Sequence, residues 1–230
     1  MSGPTCVVIV RHGQSWTNPA ARGPSASSLG LTGFGVGQAR QTAEHLASDA
    51  HEHGRFDAIY ISPRRSCLET AEPFATALGI KPVVAQELRS LDHGPGDPWD
   101  PSRNAVGTLP PLAASAAALA GAETWEAYQR RTGQFLAGLP QAHPVGRVLI
   151  IGHAGTQCAA MTQFLRLPLA SGRWWHAQLD HGGICRWTHE YQDLPGADRS
   201  GSWVLVGHNQ TAHLHRDQQF QAARPGEAGT

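Results

Sequence analysis

A chain of 230 residues is long enough for one α/β domain with a substantial core and short for two. Its Lys and Arg total equals its Asp and Glu total, which argues against the basic face that nucleic acid or an acidic membrane surface would require. Cys6, Cys67, Cys158 and Cys185 stand far apart with no Cys-x-x-Cys pair, so neither a disulfide framework nor a zinc knuckle is indicated. The start of the chain carries no basic, signal-length apolar segment, and no run is long enough to span a bilayer, so a cytoplasmic protein is expected.

Thr5 to Val10 is a continuous β-branched run, the pattern of a strand buried on both faces of a parallel sheet, and it ends in Arg11-His12-Gly13. A polar loop over residues 18 to 30 precedes Thr32, a helix N-cap, and the apolar spacing carries that helix to about Asp49. Phe56 to Ile61 reads as the second strand, and Arg64 to Leu78 as a helix stopped by Gly79. Lys81 to Ala85 is a short strand, and the Pro- and Gly-rich stretch over 90 to 110 is an irregular loop.

An alanine-rich helix near 112 to 120 is expected, then an amphipathic one from Glu123 to Leu139. Arg147 to Ile151 is a buried strand ending in Gly152-His153-Ala154-Gly155, and a helix follows it. Gly183 to Trp187 and Trp203 to Val206 read as late, antiparallel strands. Residues 1 to 220 are expected to form a single domain, and 221 to 230 a flexible tail. Alternating strands and helices predict an α/β sheet with helices on both faces, where ligands bind beyond the carboxyl ends of strands. Two of these strands end in a histidine, His12 and His153.

The stretch Val7 to Asn18 (VVIVRHGQSWTN) closely resembles the signature of the histidine phosphatase, or phosphoglycerate-mutase-like, superfamily. Leu31 to Ala39, Arg147 to Gly155 and Gly201 to Leu214 resemble further family segments. The resemblance implies a three-layer α/β/α fold with a mostly parallel central sheet. It implies that His12 attacks phosphorus and forms a phosphohistidine, with His153 opposite it on a phosphoryl oxygen. The chemistry is consistent with that role, because a neutral imidazole is a competent nucleophile and a covalent intermediate splits one hard displacement into two easier ones. Fixed donors around the dianion then supply most of the catalysis. Arg11 offers a guanidinium, Gly13 a close backbone approach and Asn18 an amide; Ala154, beside His153, joins the substrate-binding set.

Two positions depart from the family pattern. The second pocket arginine is expected where Ser66 stands, although Thr70 keeps its spacing; Arg64 and Arg65 lie two and one residues earlier. One residue turns a helix by about 100°, so Arg65, assigned to substrate binding with Arg64 as the alternative, requires an irregular first turn. Ser90 stands where the acidic glutamate is expected. Asp92 is the nearest substitute carboxylate, and Glu123 offers either proton donation or support of a helix start. The other histidines, His181 among them, show no metal-ligand spacing and read as surface or structural.

These features favour a phosphomonoester hydrolase acting on a small phosphorylated metabolite, with no cofactor, no metal, and no nucleic-acid or membrane partner. A repurposed phosphatase-like scaffold is the alternative, and a phosphoglycerate-type mutase a weaker one. The seven tryptophans fit a core or the interface of a homo-oligomer equally well.

Overall fold

The computed structural model describes residues 3–16, 30–91, 123–169, 177–190 and 201–215. The expected alanine-rich helix, the loop around 92 to 111 and the C-terminal tail lie outside those residues, as do Asn18 and Asp92.

Six strands form one sheet in the order β3-β2-β4-β1-β5-β6. Four of them, β1 (Thr5–Arg11), β2 (Ala58–Ile61), β3 (Val83–Val84) and β4 (Arg147–Gly152), pair parallel with one another, β3 at the sheet edge. The last two, β5 (Ile184–Glu190) and β6 (Ser202–Gln210), are added antiparallel on the β1 side. Consecutive side chains of a strand point to opposite faces, which explains the unbroken apolar runs. Val7 and Ile9 of β1, with Val148 and Ile150 of β4, pack in one core with Leu136 and Phe164. Val8 and Val10, with Leu149 and Ile151, pack in another with Leu46, Cys67 and Phe74.

Helices α1 (Gly33–His53) and α2 (Arg65–Leu78) cover the second face. Helix α3 (Trp125–Ala137), the short α4 (Leu139–Ala142) and α5 (Ala154–Phe164) cover the first. The result is the expected α/β/α layering around a mostly parallel sheet. Among the described residues no helix is long and apolar enough to cross a membrane.

Boundaries moved for identifiable reasons. Strand β2 begins at Ala58 rather than Phe56, because Asp57 turns aside to accept the Arg147 N–H at 2.6 Å. Helix α1 runs on to His53 and stops at Gly54, whose φ of 91° is the left-handed region that suits glycine. Gly138 divides the predicted 123–139 helix into α3 and α4.

Candidate active site

The parallel register places Arg11 of β1 opposite Gly152 of β4, so the residues that follow, His12 and His153, emerge at the same sheet edge. The His12 N–H donates to the Gly152 carbonyl at 3.0 Å, and the two rings lie 5.2 Å apart at 69°. His12 Nδ1 is 2.7 Å from the Gly13 carbonyl. A carbonyl only accepts, so Nδ1 carries the hydrogen and Nε2 holds the lone pair. Burial, then the adjacent Arg11 charge, push the His12 imidazole down to about 3, against the pull of the Gly13 carbonyl. His12 is therefore neutral at ordinary pH, the form that can attack phosphorus.

Arg11 donates through Nη1 to the Leu179 carbonyl at 2.6 Å, while its buried Nε has no hydrogen-bond partner among the described residues. Burial lowers its guanidinium to about 10 despite Asp180, which still leaves it cationic at neutral pH. His153 is the N-cap of α5, its N–H donating to Thr156 Oγ1 at 3.1 Å, and its Nε2 is 2.8 Å from Ser62 Oγ. Burial holds His153 well below the usual imidazole range, helped by His12, Arg64, Arg11 and Arg131. The Cys67 thiol, 3.7 Å from His153 Nε2, is pushed up by burial to about 12 and stays protonated.

Gly13 sits where no other residue fits, because a Cβ there would run into the Gly35 carbonyl at the start of α1. Its N–H donates to Thr70 Oγ1 at 3.1 Å, and that hydroxyl donates to the Ser66 carbonyl at 2.6 Å. Thr70 thus ties the nucleophile loop to α2, and Ala154 opens α5 directly after His153.

Arg65 is not brought to the histidines. It is the first residue of α2, points to solvent and pairs through Nε with Glu69 at 2.6 Å. Arg64 is the residue on the pocket side; as the N-cap it has an extended backbone and leaves the helical face pattern, and its charge acts on His153. Its Nε donates to Ser90 Oγ at 2.8 Å. Glu123 accepts from Arg131 on both oxygens, at 2.9 and 2.8 Å, with Arg89 Nη2 3.6 Å away, so the carboxylate is engaged as an acceptor.

Sequence reasoning missed His181. It is buried, and its ring is 5.5 Å from that of His12. Burial, then Arg11 and His12, keep it well below the usual imidazole range. The turn Asp180–Gly183 that carries it is closed by Gly183 N–H to the Asp180 carbonyl at 2.8 Å. The Gly182 N–H and the Gly183 carbonyl of that turn bond the backbone of Arg11 on both sides. The signal lay in the pairing of β5 on β1, with Ile184 opposite Val10, which brings residue 181 to the His12 edge. Among the described residues, no group of three or more His, Cys, Asp or Glu side chains is placed to hold a metal ion.

A sequence model of the histidine phosphatase superfamily (branch 1) matches residues 7–194, the span that contains both strand-end histidines. The chain belongs to that superfamily. A protein of Hydrogenobacter thermophilus with the provisional name phosphoserine phosphatase 2 is 26% identical over 194 residues, covering 76% of this chain and 85% of its own. One of Yersinia pestis, provisionally named phosphoglycerate mutase GpmB, is 25% identical over 213 residues, with coverage of 90% and 94%. Among solved structures, a mycobacterial glucosyl-3-phosphoglycerate phosphatase aligns with a TM-score of 0.68 at 20% identity, covering 90% of this chain and all of its own. A phosphoserine phosphatase of Entamoeba histolytica aligns at 0.64 and 20%, covering 92% and 100%. These structural likenesses establish the fold. The match to the superfamily establishes a histidine phosphatase.

Proposed function

We propose that this histidine phosphatase hydrolyses small phosphomonoesters through a phosphohistidine on His12. The observation that carries the reading is a neutral, buried imidazole whose Nδ1–H is tied to the Gly13 carbonyl, set 5.2 Å from a second imidazole. In the first step His12 Nε2 forms a bond to phosphorus as the ester P–O bond breaks and the alcohol departs. In the second, water attacks phosphorus, the P–N bond breaks, and phosphate leaves with His12 restored. Arg11, His153 and Arg64 surround the phosphoryl group with donors and positive charge, where developing charge is stabilised most. Asn18 and the backbone at Ala154 complete the binding set; the Gly13 backbone, whose carbonyl is bonded by His12 and whose N–H donates to Thr70, positions the nucleophile instead of meeting the substrate.

Ser90 and Glu123 are both engaged by arginines. Proton delivery to the leaving oxygen therefore falls to Asp92 or to solvent, and aryl phosphates, whose leaving groups depart as anions, turn over faster than alkyl phosphates. The test is phosphate release from a panel of aryl and alkyl phosphomonoesters, wild type against His12→Ala. Loss of release and of acid-labile protein phosphorylation in the variant is expected; a fully active His12→Ala would refute the proposal. The second reading, a repurposed scaffold, draws on serines at positions 66 and 90, and it gains if no phosphomonoester in the panel is cleaved by the folded wild type. The mutase reading requires stimulation by a bisphosphorylated primer in the same assay.

A further inference from the structure

Two arginines other than Arg11 bring charge to His153, and they are held in opposite ways. Arg131 is spent inside the protein: Glu123 takes its Nε and Nη2, and the Glu87 carbonyl takes its Nη1 at 2.5 Å. Arg64 is held at one point, by Nε to the neutral hydroxyl of Ser90, and its two terminal nitrogens bond no described residue. We propose that Ser90 is a positioning residue that turns the Arg64 guanidinium into a phosphoryl clamp. The inference rests on the phosphomonoesterase reading only for its effect on turnover, since its effect on phosphate binding is independent of hydrolysis.

The geometry follows from the sheet. Strands β2 and β3 pair in parallel, with Ile61 opposite Val84, so the chain leaving each strand passes the same edge. Arg64 stands three residues past the end of β2, and Ser90 two residues past the 3-10 turn Gln86–Leu88 that follows β3. Ser62, one residue past β2, meets His153 at 2.8 Å, so Arg64 leaves the chain beside the second histidine. A guanidinium gripped at Nε presents its Nη pair as a planar fork, the shape that binds two phosphoryl oxygens at once. A hydroxyl at position 90 orients the group without neutralising it. A carboxylate there would form an ion pair and compete with the substrate dianion, as Glu123 does at Arg131.

The experiment measures binding of inorganic phosphate by calorimetry and turnover of an aryl phosphate in parallel. The proteins are wild type, Arg64→Gln, Arg64→Ala, Ser90→Ala, Ser90→Glu and, as a control, Arg130→Ala, whose exposed pair with Glu126 lies outside the site. Arg64→Ala is expected to lower kcat/KM by about 100-fold, the scale for loss of a charged donor in a preorganised site. Ser90→Ala should cost up to about tenfold, the worth of one hydrogen bond. Ser90→Glu should weaken phosphate binding by at least about tenfold by converting the clamp to an ion pair. Added methylguanidinium should restore part of the kcat of Arg64→Ala, which a structural role would not produce. Where Ser90→Glu fails to fold, Arg64→Gln and Ser90→Ala decide. Phosphate affinity within about twofold of wild type in the folded Arg64 and Ser90 variants overturns the proposal. Arg64-dependent binding of phosphate without turnover of any ester would sustain the clamp and sink the hydrolase reading. His12-dependent turnover indifferent to both residues would sink the clamp alone.

Discussion

At the scale of single residues, burial decides what His12 can do. An imidazole in water would be partly protonated near neutrality, and the positive form has no lone pair for phosphorus. Desolvation, with Arg11 adjacent, moves that protonation down to about 3. The folded value lies below the ordinary one, so the nucleophile is competent above about 3 and is lost only as pH falls through that value. The pH profile of kcat/KM, which reports the free enzyme, should therefore show no inflection near 6.5 from His12 once the second ionisation of the substrate is divided out. An inflection near 6.5 that survives that correction would contradict a buried, neutral nucleophile. Residue types at this scale were readable in advance: Arg11, His12, Gly13, Thr70 and His153 all converge on one sheet edge. Arg65 was misread for a local reason, since one residue at a helix start separates a side chain on solvent from one on the pocket.

At the scale of elements, the nucleophile loop is held by a helix start. Thr32 caps α1 by accepting from Gly35 N–H at 3.0 Å, and its hydroxyl also reaches Gln14 Oε1 at 2.9 Å. Gln14 N–H donates to Gln38 Oε1 at 2.9 Å from inside the same helix. Replacing Thr32 by Ala removes the cap and loosens the loop after His12 together. A loss of about 1–2 kcal/mol is expected, read as a lower urea midpoint at unchanged slope, with a fall in kcat. An unchanged midpoint would mean that the cap carries no net stability. Strands and helices were largely legible because each apolar run had a period and a stop signal. The two-residue length of β3 was not: it pairs only with Tyr60 and Ile61 of β2.

At the scale of the whole molecule, several buried and half-buried histidines are uncharged. His12, His153 and His181 sit at one sheet edge, all below the ordinary imidazole range, and His213, packed on His45 at 4.9 Å, lies at about 4. Each has a depressed value in the folded state, so between that value and about 6.5 the unfolded chain binds more protons. Stability is then level above about 6.5 and falls as pH drops below it, each fully buried ring contributing up to about 1.4 kcal/mol per pH unit. Urea unfolding at about pH 7.5 and 5.5 should show the loss, and inorganic phosphate should lessen it by favouring the charged pocket. Equal stability at the two values would refute neutral burial of the cluster.

Local pattern alone determined much of this protein: the strand runs, the caps, the Arg-His-Gly and Gly-His-Ala strand ends and the family they point to. Each of these is written in neighbouring residues, where periodicity and turn chemistry act. The tertiary structure decided which side chains meet beyond the reach of a helical turn. It placed His181 against His12 through the antiparallel β5, it gave Glu123 to Arg131, and it joined Arg64 to Ser90. Those pairings depend on sheet register and on the direction in which a chain leaves its strand, and neither is encoded in the spacing of the residues that meet.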